Sequence, residues 1–258
     1  MSTLGLLFVE MRRMLVLQIR YPMDFVVGLF LFSFLFYGLL AGAEFITGAE
    51  SFNQNLDGII VGYSVWMVLY SGMNFIPSTV QGEAARGTLE AVFLSYVSVD
   101  KIFLLRSIAE SLVSVLFTAI ILLVLLWLTE RNLSFSIAII VPIATTVIAA
   151  IGVGFLIGGF ALEYKQVGQV VVLAQYPLLF LMMTPFEKME SFIMQCSMFL
   201  PVVPSAITLR QIMISDVPFL ESYYIIAIAN GVVYLLLGMW AFRVFSKRVK
   251  MKGLLAGY

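Results

Sequence analysis

Apolar residues in this chain come in long unbroken runs rather than in short periodic patches. Charge-free stretches cover residues 25–43, 58–82, 111–129, 132–162, 166–186 and 222–242. A helix needs about 20 apolar residues to cross roughly 30 Å of hydrocarbon, and every one of these runs comes close to or exceeds that length. The predicted spans are 24–43, 58–81, 107–129, 137–162, 168–186 and 222–243, so the fold class is all-α integral membrane with a single transmembrane unit over 1–258. Little chain is left for a soluble domain.

The segments around these runs carry their own patterns. In residues 1–22, Leu4, Phe8, Met11, Leu15 and Ile19 recur at helical spacing, with Glu10, Arg13 and Arg20 on the other side. That is the pattern of a helix lying in the membrane interface, and Tyr21-Pro22 is expected to end it. The first span is rich in Phe and carries Gly38 and Gly42, a spacing that permits close helix approach in lipid. The fourth has Ala150, Gly154 and Gly158 at the same interval. Residues 187–221 are too apolar for a plain loop and too interrupted by Pro201 and Pro204 for a span; they read as a re-entrant or interfacial hairpin on the outer side.

The second span is not uniformly apolar. At about 100° per residue, Ser64, Ser71, Asn74, Ser78 and Gln81 share one sector, and Tyr63, Trp66 and Tyr70 adjoin it. Val65, Leu69, Ile76 and Val80 lie opposite. Asn74 facing lipid would leave an amide without partners, at high cost, so the polar side is turned to protein or water. Two uses fit: Tyr63, Trp66, Tyr70, Ser71, Asn74 and Ser78 wall a substrate path, or they make hydrogen bonds between helices. Pro77 is expected to kink this helix.

Charge gives the orientation. Hydrophobic residues make up 62% of the chain and charged ones 12%, about half the usual charged share of a soluble domain. The net charge of zero hides an asymmetry. With the N-terminus cytoplasmic, the inner segments hold Arg12, Arg13, Arg20, Arg86, Lys101, Arg106, Lys165, Arg243, Lys247, Arg248, Lys250 and Lys252. The outer segments hold only Arg131, Lys188 and Arg210. The positive-inside rule therefore puts both termini in the cytoplasm of a multi-pass protein of the cell (plasma) membrane. The Ala-Gly-Ala at 41–43 resembles a signal cleavage site, but the run before it is longer than the ~7–15 residues of a signal peptide's apolar region.

Residue types exclude several chemistries. The chain has no His and one Cys, Cys196, so it offers no histidine general base, no imidazole metal site and no internal disulfide. No GxxxxGK[ST] phosphate loop occurs. The expectation is no enzyme activity and no metal or cofactor on this chain, and nothing suggests a nucleic-acid partner. Membrane lipids are the one partner composition demands.

Six of the thirty charged residues fall within Gln81–Ser107, between the second and third spans. Leu89, Val92, Phe93 and Tyr96 follow helical spacing, with Arg86 and Glu90 on the polar side, and Ser98 is placed to cap a second helix leading into the third span. Two helices meeting there make an elbow under the membrane. Its amphipathicity suits either lying on the membrane or docking in the groove of a cytosolic partner.

The segment "EAARGTLEAVFLSYVSVDKIFLLRS" resembles the cytoplasmic segment of ABC type-2 exporter permeases through Glu83, Gly87, Thr88, Leu89, Glu90 and Ser98. That family usually has Thr-Pro before its Val/Leu-Ser pair, where this chain has Ser95-Tyr96. The resemblance implies an N-terminal interfacial helix, six spans and a coupling helix within 83–106. It also implies a cytosolic ABC ATPase subunit that binds ATP and Mg, and a second permease copy or homologous permease. On that reading Leu89, Val92 and Phe93 pack into the ATPase groove, Glu83, Arg86 and Glu90 make rim contacts, and Gly87 permits the turn into the helix.

The expected function is export of a hydrophobic or amphipathic substrate, a drug, lipid, peptide or glycan-lipid, using a separate ATPase. A stand-alone secondary transporter or channel is the alternative, and a membrane anchor without transport a third. An ion-coupled transporter needs ionisable groups deep in its spans, whereas Glu110 and Glu163 both lie near span ends.

Overall fold

The computed structural model of the chain describes residues 3–47, 49–164, 167–214 and 221–251. Lys165, Gln166, Lys252, residues 215–220 of the outer segment and the side chain of Leu4, on which expectations above fall, lie outside the described residues. The described chain is helical, with 89% helix and no strand. The helices are α1 (Thr3–Arg20), α2 (Pro22–Thr47), α3 (Ala49–Ala85), α4 (Leu89–Phe93), α5 (Val99–Thr129), α6 (Ile140–Tyr164), α7 (Gly168–Met183), α8 (Ser191–Ser197), α9 (Val203–Ile214) and α10 (Glu221–Met251).

Five of them, α2, α3, α5, α6 and α10, contain segments long and apolar enough to cross a membrane. The sixth expected span corresponds to α7, which is apolar but has 16 residues, about 24 Å at 1.5 Å per residue. Pro22 opens α2, a position where its missing N–H costs nothing. Pro77 does not end α3, which continues to Ala85.

The bundle is built on α3 and α6. Their small residues bring the main chains together: a Cβ on Gly72 would lie 2.7 Å from Ala150 Cβ, and one on Gly154 would strike the Gly72 carbonyl. The other side of α6 meets α10 in the same way, with Gly238 against the Gly152 main chain and Gly152 against that of Tyr234. The row Ala150, Gly154 and Gly158 is thus an interface with α3. Gly38 and Gly42 of α2 are different: nothing among the described residues lies within 4 Å of a Cβ at either. The close approach their spacing suggested is not made among the described residues, and α2 leaves Phe30, Leu31, Phe34 and Tyr37 exposed.

The segment after α7 folds back onto the bundle. After a short 3₁₀ turn at Phe186–Lys188 and the seven residues of α8, α9 buries Val203, Ala206, Ile207, Leu209 and Arg210 against α3, α6 and α10. Asn230 of α10 holds the turn before it. Its side-chain amide donates to the carbonyls of Met198 (3.1 Å) and Leu200 (3.0 Å), and its oxygen accepts from Val202 N at 3.2 Å. Val202 sits there at φ 68°, a left-handed conformation that a β-branched residue rarely adopts.

Candidate functional site

The charged segment after α3 is an elbow whose every turn has a local cause. Helix α3 stops because Gly87 adopts φ 69°. Gly87 N bonds to Ala84 O (3.0 Å) and Thr88 N to Glu83 O (2.9 Å), the paired bonds of a Schellman stop. Thr88 also turns its hydroxyl to the Glu83 carboxylate. Leu89 then starts the five-residue α4. Ser98 follows in extended conformation, and its carbonyl accepts from Lys101 N and Ile102 N to open α5.

Polar contacts fix this elbow to three helices. Glu83 is buried and accepts from Arg106 Nη1 of α5 at 2.9 Å, with Arg86 Nη2 at 3.7 Å. Arg106 Nε in turn donates to Glu10 of α1 at 3.1 Å. Arg243 of α10 grips Asp100 at the start of α5, at 2.8 Å through Nε and 2.6 Å through Nη2. Helix α1 is therefore oriented with Glu10 toward α5 and with Phe8 and Ile19 exposed.

The structure places the expected coupling residues in two groups. Leu89 and Phe93 are 2% and 7% exposed, packed with Val80, Ala84, Val99 and Phe103 of their own bundle. They cannot fill another protein's groove without leaving that core. Glu83, expected at a rim, is committed inside the chain. Val92 is half-buried, while Arg86, Gly87, Thr88 and Glu90 are exposed. The outward surface of the elbow consists of Arg86, Glu90 and Ala91 with Leu94 and Tyr96, both almost fully exposed.

The polar face of α3 divides in two. Tyr70, Ser71, Asn74 and Ser78 line a cavity of about 360 Å³ between α2, α3 and α5, together with Glu110, Ser114, Phe117 and Thr118 of α5 and Phe25, Gly28 and Phe32 of α2. Gln18 and Asp24 stand at its α1 end. Tyr63 and Trp66 do not reach it. Further along α3, the Tyr63 hydroxyl donates to Phe32 O (2.7 Å) and Trp66 Nε1 to Gln175 O (3.0 Å). Those two residues bond helices together, and four of the six expected wall residues face an open space.

The family model described as ABC-2 type transporter matches residues 5–214, from the first turns of α1 to the end of α9 and more than half of the 258 residues. The chain belongs to the ABC-2 type transporter family. No curated protein sequence matches the chain. An ABC-2 type transporter of this kind is a multi-pass membrane permease, and the apolar helices described above agree with that.

Sequence reasoning about this ABC-2 permease missed two groups. Glu10 and Arg106 are 96 positions apart, and no spacing rule pairs residues across such a gap. Arg210, read as an outer-loop base, is 2% exposed in α9. Its Nη1 donates to Met182 O (2.8 Å), its Nη2 to Thr184 O (2.9 Å), and its Nε lies 3.1 Å from Glu187 Oε1. Burial pulls its ionisation below the usual guanidinium range, and the Glu187 carboxylate opposes that pull. The clue was available in the single charged residue of Val203–Ile214.

Proposed function

We propose that this chain is the membrane permease subunit of an ATP-driven ABC exporter, moving a hydrophobic or amphipathic substrate out of the cytoplasm with energy from a separate ATPase subunit. The observation that carries this reading is the elbow: an exposed surface of Arg86, Glu90, Ala91, Leu94 and Tyr96 backed by ion pairs into α1, α5 and α10. A surface floating on lipid has no need of such bracing. A surface that receives a push does, because a loose joint would absorb the displacement.

On this reading both termini and the elbow are cytoplasmic, the ATPase binds ATP and Mg, and a second permease copy or a homologous permease completes the membrane unit. Purification of the full chain from its native membranes in mild detergent tests it. The expected result is a complex that hydrolyses ATP and loses its ATPase when Leu94 and Tyr96 are both replaced by Asp. A chain that purifies without any ATP hydrolysis, and that moves solute down an ion gradient in vesicles, would instead support the stand-alone transporter.

A further inference from the structure

We propose that the cavity between α2, α3 and α5 binds an amphipathic cation, with Glu110 as its counter-charge. The inference rests on the exporter reading and narrows its substrate class. Three observations lead to it. The cavity's only charged lining residues are the carboxylates Asp24 and Glu110, and no Lys or Arg lines it among the described residues. Glu110 has no ion-pair partner among those residues, whereas Glu10, Glu83 and Asp100, buried or half-buried at this end of the bundle, are each held by an arginine. Thr118, 6% exposed, stands between this cavity and a neighbouring one beside α6, and its buried hydroxyl has no hydrogen-bond partner among the described residues.

The walls suit the rest of such a molecule. Phe32 packs edge-on to Phe117 and Tyr70, with ring centroids 6.1 and 5.8 Å apart, and Phe25 meets Phe117 at 5.1 Å. Aromatic faces attract cations and also pack apolar groups. A carboxylate in such a setting favours a positive ligand and penalises a negative one, since like charge in a site of low dielectric is costly. Asn74 and Ser71 add polar groups that an uncharged hydrocarbon would leave unmatched. The volume fits one compact aromatic ion.

The test uses the full chain in nanodiscs of phosphatidylcholine, which has no net charge to attract the probe. The probes are tetraphenylphosphonium and tetraphenylborate, nearly identical in shape and opposite in charge. Equilibrium dialysis against empty nanodiscs should find saturable phosphonium binding at one site per chain, with borate weaker by about tenfold or more. Glu110→Gln should weaken phosphonium binding by about tenfold and narrow the difference between the two ions. Gly28→Leu, which fills the cavity from α2 while leaving Glu110 in place, should abolish both. Trp127→Ala, on the exposed surface of α5, should change neither.

Equal affinity for both ions, phosphonium binding no greater than to empty discs, or binding indifferent to Gly28→Leu would each overturn the proposal. Should Glu110→Gln fail to fold, Gly28→Leu and the ion pair of probes still decide it. Because the isolated chain is used, a failure here leaves the ATPase complex untouched, and absence of that complex leaves this binding result standing.

Discussion

Arg106 and Glu83 form an ion pair of 2.9 Å between α5 and the last turn of α3, with side chains only 14% and 9% exposed. The same guanidinium reaches Glu10 at 3.1 Å. One cation thus joins α1, α5 and the elbow. Removing one member of a desolvated pair costs more than the pair itself contributes, because the remaining charge stays buried. Arg106→Leu should therefore destabilise the chain by about 3 kcal/mol, read as a lower unfolding temperature in detergent. Adding Glu83→Gln should recover much of that loss. If the single and double variants melt alike, the two residues do not act as a pair.

Charged substitutions within the elbow should sort by direction. Leu89→Asp places a carboxylate among Val80, Ala84 and Phe103, and should unfold the elbow or prevent accumulation of the chain in the membrane. Leu94→Asp puts the same charge on a residue that is 79% exposed. It should leave the stability within about 0.5 kcal/mol of wild type and release the proposed ATPase. Co-purification combined with thermal melts separates the two. Loss of the ATPase by Leu89→Asp with an unchanged melt would restore Leu89 as a docking residue.

The elbow was legible in the sequence to the extent that local rules govern it. Gly87 in a left-handed turn, Ser98 before α5 and the small-residue row of α6 all follow from residue type and short spacing. The direction of the elbow was not legible. An amphipathic pattern identifies an apolar side but not its partner: the pattern of Leu89 and Phe93 suited a membrane surface or a partner's groove, and both are packed into their own bundle with Phe103. The face of α3 was ambiguous for the same reason. Tyr63 and Asn74 lie in neighbouring sectors of one helix, yet α2 and α7 close over the first while a cavity opens beside the second. Only tertiary packing distinguishes them.

Arg210 should be irreplaceable in α9. Arg210→Met removes the donor to two carbonyls and leaves the Glu187 charge without its cation, so a loss of about 3 kcal/mol or more is expected. Arg210→Lys keeps the charge but cannot span Met182 O, Thr184 O and Glu187 from one ammonium, and should lie between the two. Arg210→Met with Glu187→Gln should recover part of the loss. Thermal melts of the four proteins check this; a neutral Arg210→Met would show that the charge is not part of what seats α9.

Topology has a built-in reporter. Cys196 is the chain's only cysteine and is exposed in α8, in the segment placed outside by the distribution of Lys and Arg. A membrane-impermeant maleimide should label it on intact cells without permeabilisation. After a Cys196→Ser replacement, a new cysteine at exposed Ser95 of the elbow should label only once the membrane is opened. The reverse pattern would put the elbow on the outer side, where no cytosolic ATPase reaches it.

Glycines of this chain divide into those that let helices touch and those that face away. Gly238→Ala would drive a methyl into the Gly152 carbonyl, main chain against main chain, with no flexible side chain to yield. The expected cost is about 1–3 kcal/mol or more, seen as a lower melting temperature. Gly38→Ala meets nothing within 4 Å, and in a helix the exchange favours Ala by about 0.5–1 kcal/mol, so the isolated chain should melt at the same temperature or higher. If Gly38→Ala nonetheless stops export while the melt holds, the open face of α2 is occupied in the working assembly, and the close approach that α2 does not make within one chain is made with the second permease.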